Sequence, residues 1–278
     1  MKSFTHQCAL FLSGLAGMTA LACEVERKAR TPIEVTRSAL GAGLGEDATP
    51  TGFAIDEDSG QRYLLDPELG ILEIDEAGNA KSIWSPTEDL PRLTDLCAMG
   101  GGRFIAAADG DGYVIDVASG AARQHFCLEP GWDPSFDPEP DVPLKHLNRS
   151  VACDVAAGLI YGQPQTVPRD GLATPLRSEL ASYRLSTGAD VEWVPLPDAA
   201  YHAGGMTVVR TGLLLLGAGS SLSLFDADSG TLTSIADLAT EGVGRIEALS
   251  IDRETDTVVL LDGADNTLVT VPLDALGF

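Results

Sequence analysis

The chain lacks the short signatures by which many enzymes are read from sequence. It has no G-x-S-x-G, HExxH, Walker loop, dinucleotide-binding glycine fingerprint or C-x-x-C. Basic residues are scarce: 18 Lys and Arg stand against 41 Asp and Glu, for a net charge of −23. Phosphate backbones and anionic lipid repel such a surface, which excludes nucleic acid as a partner. The acids are scattered rather than run together, as on a solvated acidic surface. The apolar stretch from Cys8 to Ala22 is too short to cross a bilayer. Beyond it there is little sustained 3.6-residue periodicity, which argues against a helical fold. His125, His146 and His202 are far apart in sequence and suggest no metal cluster.

What is present begins with the first residues. Lys2, the apolar stretch and the ending Ala20-Leu21-Ala22 read as a secretory signal over residues 1–22. Cys23 follows the expected cut, and the segment resembles the lipobox of bacterial lipoproteins, although Ala20 replaces the family's usual Leu. The resemblance implies lipidation of Cys23, a tether over 23–31 and export. Glu24 in place of an inner-membrane retention Asp leans toward the outer membrane, facing the periplasm or cell surface. Plain signal cleavage, giving a soluble periplasmic or secreted protein, is the alternative. In an oxidising compartment one pair among Cys97, Cys127 and Cys153 can bridge.

A phrase then recurs: "GYVIDVASG" (112–120), "SLFDADSG" (223–230), "SYRLSTG" (182–188) and "EIDEAG" (73–78). Each is a strand ending in a tight turn. The Asp accepts a hydrogen bond from backbone about two residues on, and the Gly takes positive φ. An earlier apolar strand precedes each copy and aligns Phe53, Cys97, Cys153, Met206 and Leu249 in one column, at separations of 44, 56, 53 and 43 residues. A second strand follows this first one, the quoted strand is third, and a fourth comes after it. Four antiparallel strands per repeat predict an all-β propeller of five blades over 32–278. The fifth unit lacks its fourth strand, and "PIEVTRSAL" (32–40) is expected to supply it and close the ring. The turns, "VIDVASG" among them, resemble those of YVTN-, WD- and quinoprotein-type propellers, which implies the architecture and no particular function.

In such propellers ligands usually meet the channel mouth, where loops lead into each first strand. Four positions before the column stand Thr49, Leu93, Arg149, His202 and Arg245; two before it stand Thr51, Asp95, Val151, Gly204 and Glu247. Arg149, His202 and Arg245 suit a small anion or an acidic peptide end, with Asp95 and Glu247 beside them. The competing expectation pairs these arginines with Asp95 and Glu247 as a structural ring. The segment "EPGWDPSFDPEPDVPLKHLNRS" (129–150) departs from the repeat and offers Trp132 and Phe136 as a partner-binding lip. Cys127 and Cys153 bracket it, so a bridge between them is the preferred pairing, with Cys97–Cys153 as the alternative. A second insertion, 166–179, is expected on the same side of the disc.

No cofactor is expected. Calcium is conceivable at the acidic turns but fits no motif: counted from Asp226, Gly230 is fifth and position twelve is Asp237; from Asp56, position twelve is Pro67. The favoured reading is a non-catalytic binding or scaffold propeller of the cell envelope that holds a protein or peptide, touching membrane only through Cys23. A small-anion or carbohydrate binder and a lactonase- or lyase-like propeller enzyme are the alternatives.

Overall fold

A computed structural model describes residues 33–41, 44–45, 48–108, 111–127, 144–168, 177–200 and 203–277, with backbone only at 127, 144–148, 166–168 and 177. Strand β1 (Thr36–Ala39) comes first and joins the last blade. Blade 1 is β2 (Gly52–Ile55), β3 (Arg62–Asp66), β4 (Gly70–Ile74) and β5 (Ala80–Trp84). Blade 2 is β6 (Leu93–Gly100), β7 (Arg103–Ala108), β8 (Asp111–Asp116) and β9 (Ala121–Cys127). Blade 3 is β10 (Leu144–Asp154), β11 (Leu159–Pro168), β12 (Arg177–Arg184) and β13 (Asp190–Pro195). Blade 4 is β14 (Ala203–Arg210), β15 (Leu213–Ala218), β16 (Ser221–Asp226) and β17 (Thr231–Asp237). Blade 5 is β18 (Ile246–Asp252), β19 (Thr257–Asp262) and β20 (Thr267–Pro272), completed by β1, which pairs antiparallel with β20 from Thr36↔Thr270 to Ala39↔Thr267. A one-turn helix, α1 (Leu273–Leu276), follows and stops at Gly277, φ 88°.

The protein is a five-bladed β-propeller, closed by its first strand as the repeat predicts. Neighbouring first strands touch all the way round, β18 back to β2 included. Inner strands such as β3 and β19 are buried along almost their whole length, because a blade is covered on both sides, whereas outer strands such as β1 and β13 are largely exposed. The core accordingly divides into five clusters, one for each seam between blades. Phe104 and Leu64 are typical, 1% and 0% exposed, and each such side chain contributes about 2–3 kcal/mol by leaving water. Close approach at the axis limits side-chain size: a Cβ on Gly205 would lie 2.6 Å from the Cα of Ala248 on the next blade.

The recurring turn works nearly as expected. Gly120 and Gly230 have φ of 72° and 65°. The Asp116 and Asp226 carboxylates accept from the N–H of Ser119 and Ser229, three residues on rather than two (3.0 and 2.9 Å). These bonds hold both carboxyls below the ordinary carboxylate range.

Blade 3 differs from the rest. Its first two strands have 11 and 10 residues, and their pairing runs from Asp154↔Leu159 out to Leu144↔Pro168. The extra pairs 144–148 raise it by about 17 Å on the side where first strands begin. Both insertions attach to that raised end, since residues 128–143 lead into β10 and 169–176 join β11 to β12.

Candidate functional site

The expected mouth is the face on which first strands begin. Four of the five first strands are bulged there: between Leu93 and Asp95, Asn148 and Val151, Ala203 and Gly205, and Ile246 and Ala248. A bulge inserts an unpaired residue and re-aims its neighbours. Positions that align in the sequence therefore meet different surroundings.

Asp95 is buried. Its Oδ1 accepts from the Leu96 N–H (2.9 Å) and its Oδ2 from the Val151 N–H of blade 3 (3.0 Å). Burial pushes its carboxyl well above the ordinary range; the two N–H donors oppose this, and the nearby Glu247 charge adds to it. Asp95 thus joins two blades and does not present itself to a ligand. Arg245 pairs through Nε with Glu247 Oε1, and its Nη2 donates to the Gly263 carbonyl (3.3 Å). The Arg245–Glu247 pair matches the structural-ring expectation, while Asp95 takes no arginine among the described residues. The exposed Arg149 side chain has no hydrogen bond or ion pair among the described residues. His202, Trp132, Phe136 and Cys23 lie outside the described residues.

The loops leading into the first strands are clamped by aspartates at the ends of second strands. Asp66 accepts from the Thr49 N–H (2.8 Å), and Asp262 from Gly244 and Arg245 (3.0 and 2.9 Å). Burial works against the Asp262 charge, but the N–H groups of Arg245, Gly244 and Ala264, with Arg37, hold its carboxyl below the ordinary range. Arg37 reaches it from β1 at 3.5 Å and also pairs with Asp265 at 3.1 Å.

The sequence reading missed a polar interior in blade 3. Ser150 Oγ donates to Gln163 Oε1 (3.1 Å), and Gln163 Nε2 donates to Ser178 Oγ and the Ala200 carbonyl (3.2 and 2.9 Å). All three side chains are buried, as are Gln165 and Glu179. A signal was present: Gln163 and Gln165 occupy a second strand whose blade 2 counterpart ends in three alanines.

The aligned column lines one cavity. Phe53, Cys97, Cys153, Met206 and Leu249 surround about 270 Å³ at the ring axis. The remaining lining includes Glu57, Asp58, Gly100 and Val155, so the cavity lies toward the face where first strands end, opposite the expected mouth. The preferred disulfide is corrected here. Cys97 bonds Cys153, with Cα atoms 5.7 Å apart, and Cys127 is not its partner. Cys97 and Cys153 occupy neighbouring first strands, which converge at the axis. Cys127 ends an outermost strand, three strand spacings or about 14 Å from the inner strand of its own blade. Among the described residues no three His, Cys, Asp or Glu side chains come together as a metal would need.

No protein-family model matches the chain, and no curated protein matches it. Among solved structures it is similar to a nidogen/laminin complex, at 13% identity over 83% of this chain and 89% of that chain, TM-score 0.50. It is also similar to XC5397 from Xanthomonas campestris, described as a gluconolactonase, at 16% identity over 87% and 96%, TM-score 0.47. Likeness at such identities concerns the fold.

Proposed function

We propose that this is a non-catalytic binding propeller of the cell envelope, exported and anchored at the outer membrane through Cys23. It holds a protein or peptide partner against blade 3. The observation that carries this reading is the raised end of blade 3: paired strands of 11 and 10 residues stand above a closed ring and bear both insertions. Backbone pairing makes such a wall rigid, and a rigid support lowers the ordering cost of binding at the loops it carries. Trp132 and Phe136 belong to one of those loops.

Lysines are few, which makes the test direct. Lys145 lies on the raised part of β10, and Lys81 on the outer strand of blade 1. Amine-reactive crosslinking in intact envelopes is expected to join a partner through Lys145 and not through Lys81. Partner crosslinks confined to Lys81 would overturn the reading. The intact mass of membrane-extracted protein tests the anchor: a chain beginning at Cys23 plus lipid is expected.

A small anion at the mouth is a second reading, favoured by Arg149, which is exposed and has no hydrogen bond or ion pair among the described residues. If it holds, Arg149→Ala abolishes anion binding and leaves the fold intact; retained affinity counts against it. A lactonase- or lyase-like reaction would draw on Asp95, Glu247 and His202, of which His202 lies outside the described residues. The first is engaged by backbone of two blades and the second by Arg245.

A further inference from the structure

On the face opposite the blade 3 wall, the seam between blades 2 and 3 contains a groove of about 500 Å³. Blade 2 contributes Arg103, Arg123 and His125, and blade 3 contributes Leu185 and Ser186. Arg103 pairs with Asp116 across β7–β8, and Val114 with Arg123 across β8–β9. Residues 114 and 116 share a sheet face, so both arginines stand on the face turned to blade 3. Their Cα atoms are two strands and two residues apart, about 12 Å. Two arginine side chains are long enough to reach one group across that span.

The charge of the groove runs against that of the chain. With 41 acids to 18 bases, an arginine has many potential partners. Arg37, Arg62, Arg245 and Arg253 each take an acid in an ion pair, whereas Arg92, Arg149, Arg184 and Arg210 take none among the described residues; what sets Arg103 and Arg123 apart is that they share one groove. Neither the Arg103 nor the Arg123 side chain has a hydrogen bond or ion pair among the described residues, and both are exposed. Asp116 stands opposite Arg103, its Oδ1 accepting from the Ser119 N–H (3.0 Å), and the Arg103 charge adds a smaller contribution to lowering its carboxyl; Arg123 has no such neighbour among the groove's lining. His125 Nε2 lies 2.9 Å from the Leu185 carbonyl. A carbonyl only accepts, so Nε2 carries the proton and the ring is tied across the seam. Met99, Val114 and Leu185 supply apolar lining.

We propose that this groove binds a small amphipathic organic anion, with a carboxylate, sulfonate or phosphate head between Arg103 and Arg123 and an apolar body on Met99, Val114 and Leu185. Guanidinium forks match such heads in shape and charge. The site lies on the opposite face from the partner surface proposed above and stands or falls separately.

The test titrates the mature chain with 8-anilinonaphthalene-1-sulfonate, followed by fluorescence. One saturable site is expected. Arg103→Gln and Arg123→Gln should each weaken it about tenfold, with unchanged melting, as loss of a charge-assisted contact does. Arg149→Ala, on the other face, should leave it unchanged. Octanoate or octyl phosphate should displace the probe, and octanol should not. The proposal is overturned if no saturable binding occurs, if Arg123→Gln binds as tightly as wild type, if Arg149→Ala weakens binding equally, or if octanol displaces as well as the anions.

Discussion

Two buried carboxylates, Asp95 and Asp262, show how differently one ring treats the same chemical problem. Both stand near the start of a first strand and both accept backbone N–H bonds that tie a neighbouring segment in place. Asp262 has three such donors and Arg37, and its carboxyl is held below the ordinary range. Asp95 has two donors and the Glu247 charge nearby, and burial pushes it well above that range. A carboxylate in low dielectric favours ionisation only where donors and a cation replace the lost water. The locations fit this contrast. Asp262 lies in the closing blade, where β1 is held by one ladder of four residue pairs and by Arg37. Asp95 lies in the seam that is crosslinked by Cys97–Cys153. The crosslink and the Asp95–Val151 bond therefore tie the same seam.

The largest expected effect comes from the crosslink. The bond closes a loop of 56 residues, so chain entropy alone assigns it about 4 kcal/mol. Reduction, or Cys97→Ser with Cys153→Ser, should lower unfolding stability by that order in guanidinium titrations. Equal midpoints for oxidised and reduced protein would remove the contrast between the two regions.

Arg37→Ala should cost about 2 kcal/mol, because it removes the cation from a buried carboxylate while the backbone donors remain. Urea unfolding measures this, and increased exchange of the β20 amides should accompany it. An unchanged midpoint would mean that the ladder alone closes the ring.

The two carboxylates should give pH dependences of opposite sign. Asp262, with a lowered pKa, supports the fold at neutral pH and loses that contribution as pH falls from the ordinary carboxylate value through its own. Asp95, with a raised pKa, costs nothing in acid and destabilises as pH rises from the ordinary value through its own. Melting of Asp95→Asn across this range should show less loss with rising pH than wild type; parallel curves would contradict the assignment. Arg149→Ala, which loses no partner among the described residues, should have the smallest effect on stability, within about 0.5 kcal/mol.

Much of this was legible in the residues. Strand alternation and turn chemistry are local, and they repeat. The strand order, the five blades, the closing segment and the column at the axis therefore followed from a short phrase such as "VIDVASG" and its copies. The candidate mouth was legible only in outline. Bulges shift first strands by a residue or two, and no repeat announces them, so Arg149 and Arg245 read as equivalent ring members although Arg245 pairs with Glu247 and Arg149 takes no ion pair among the described residues. The partner of Cys153 and the basic groove between blades 2 and 3 were not legible either. Each depends on which strands of different blades approach one another and at what height. The sequence by itself determined the unit and the number of its copies, because hairpin geometry is set by neighbours along the chain. Tertiary structure alone decided which side chains are buried, paired or free, because those outcomes are set by contacts between units about 40–60 residues apart that converge only when the ring closes.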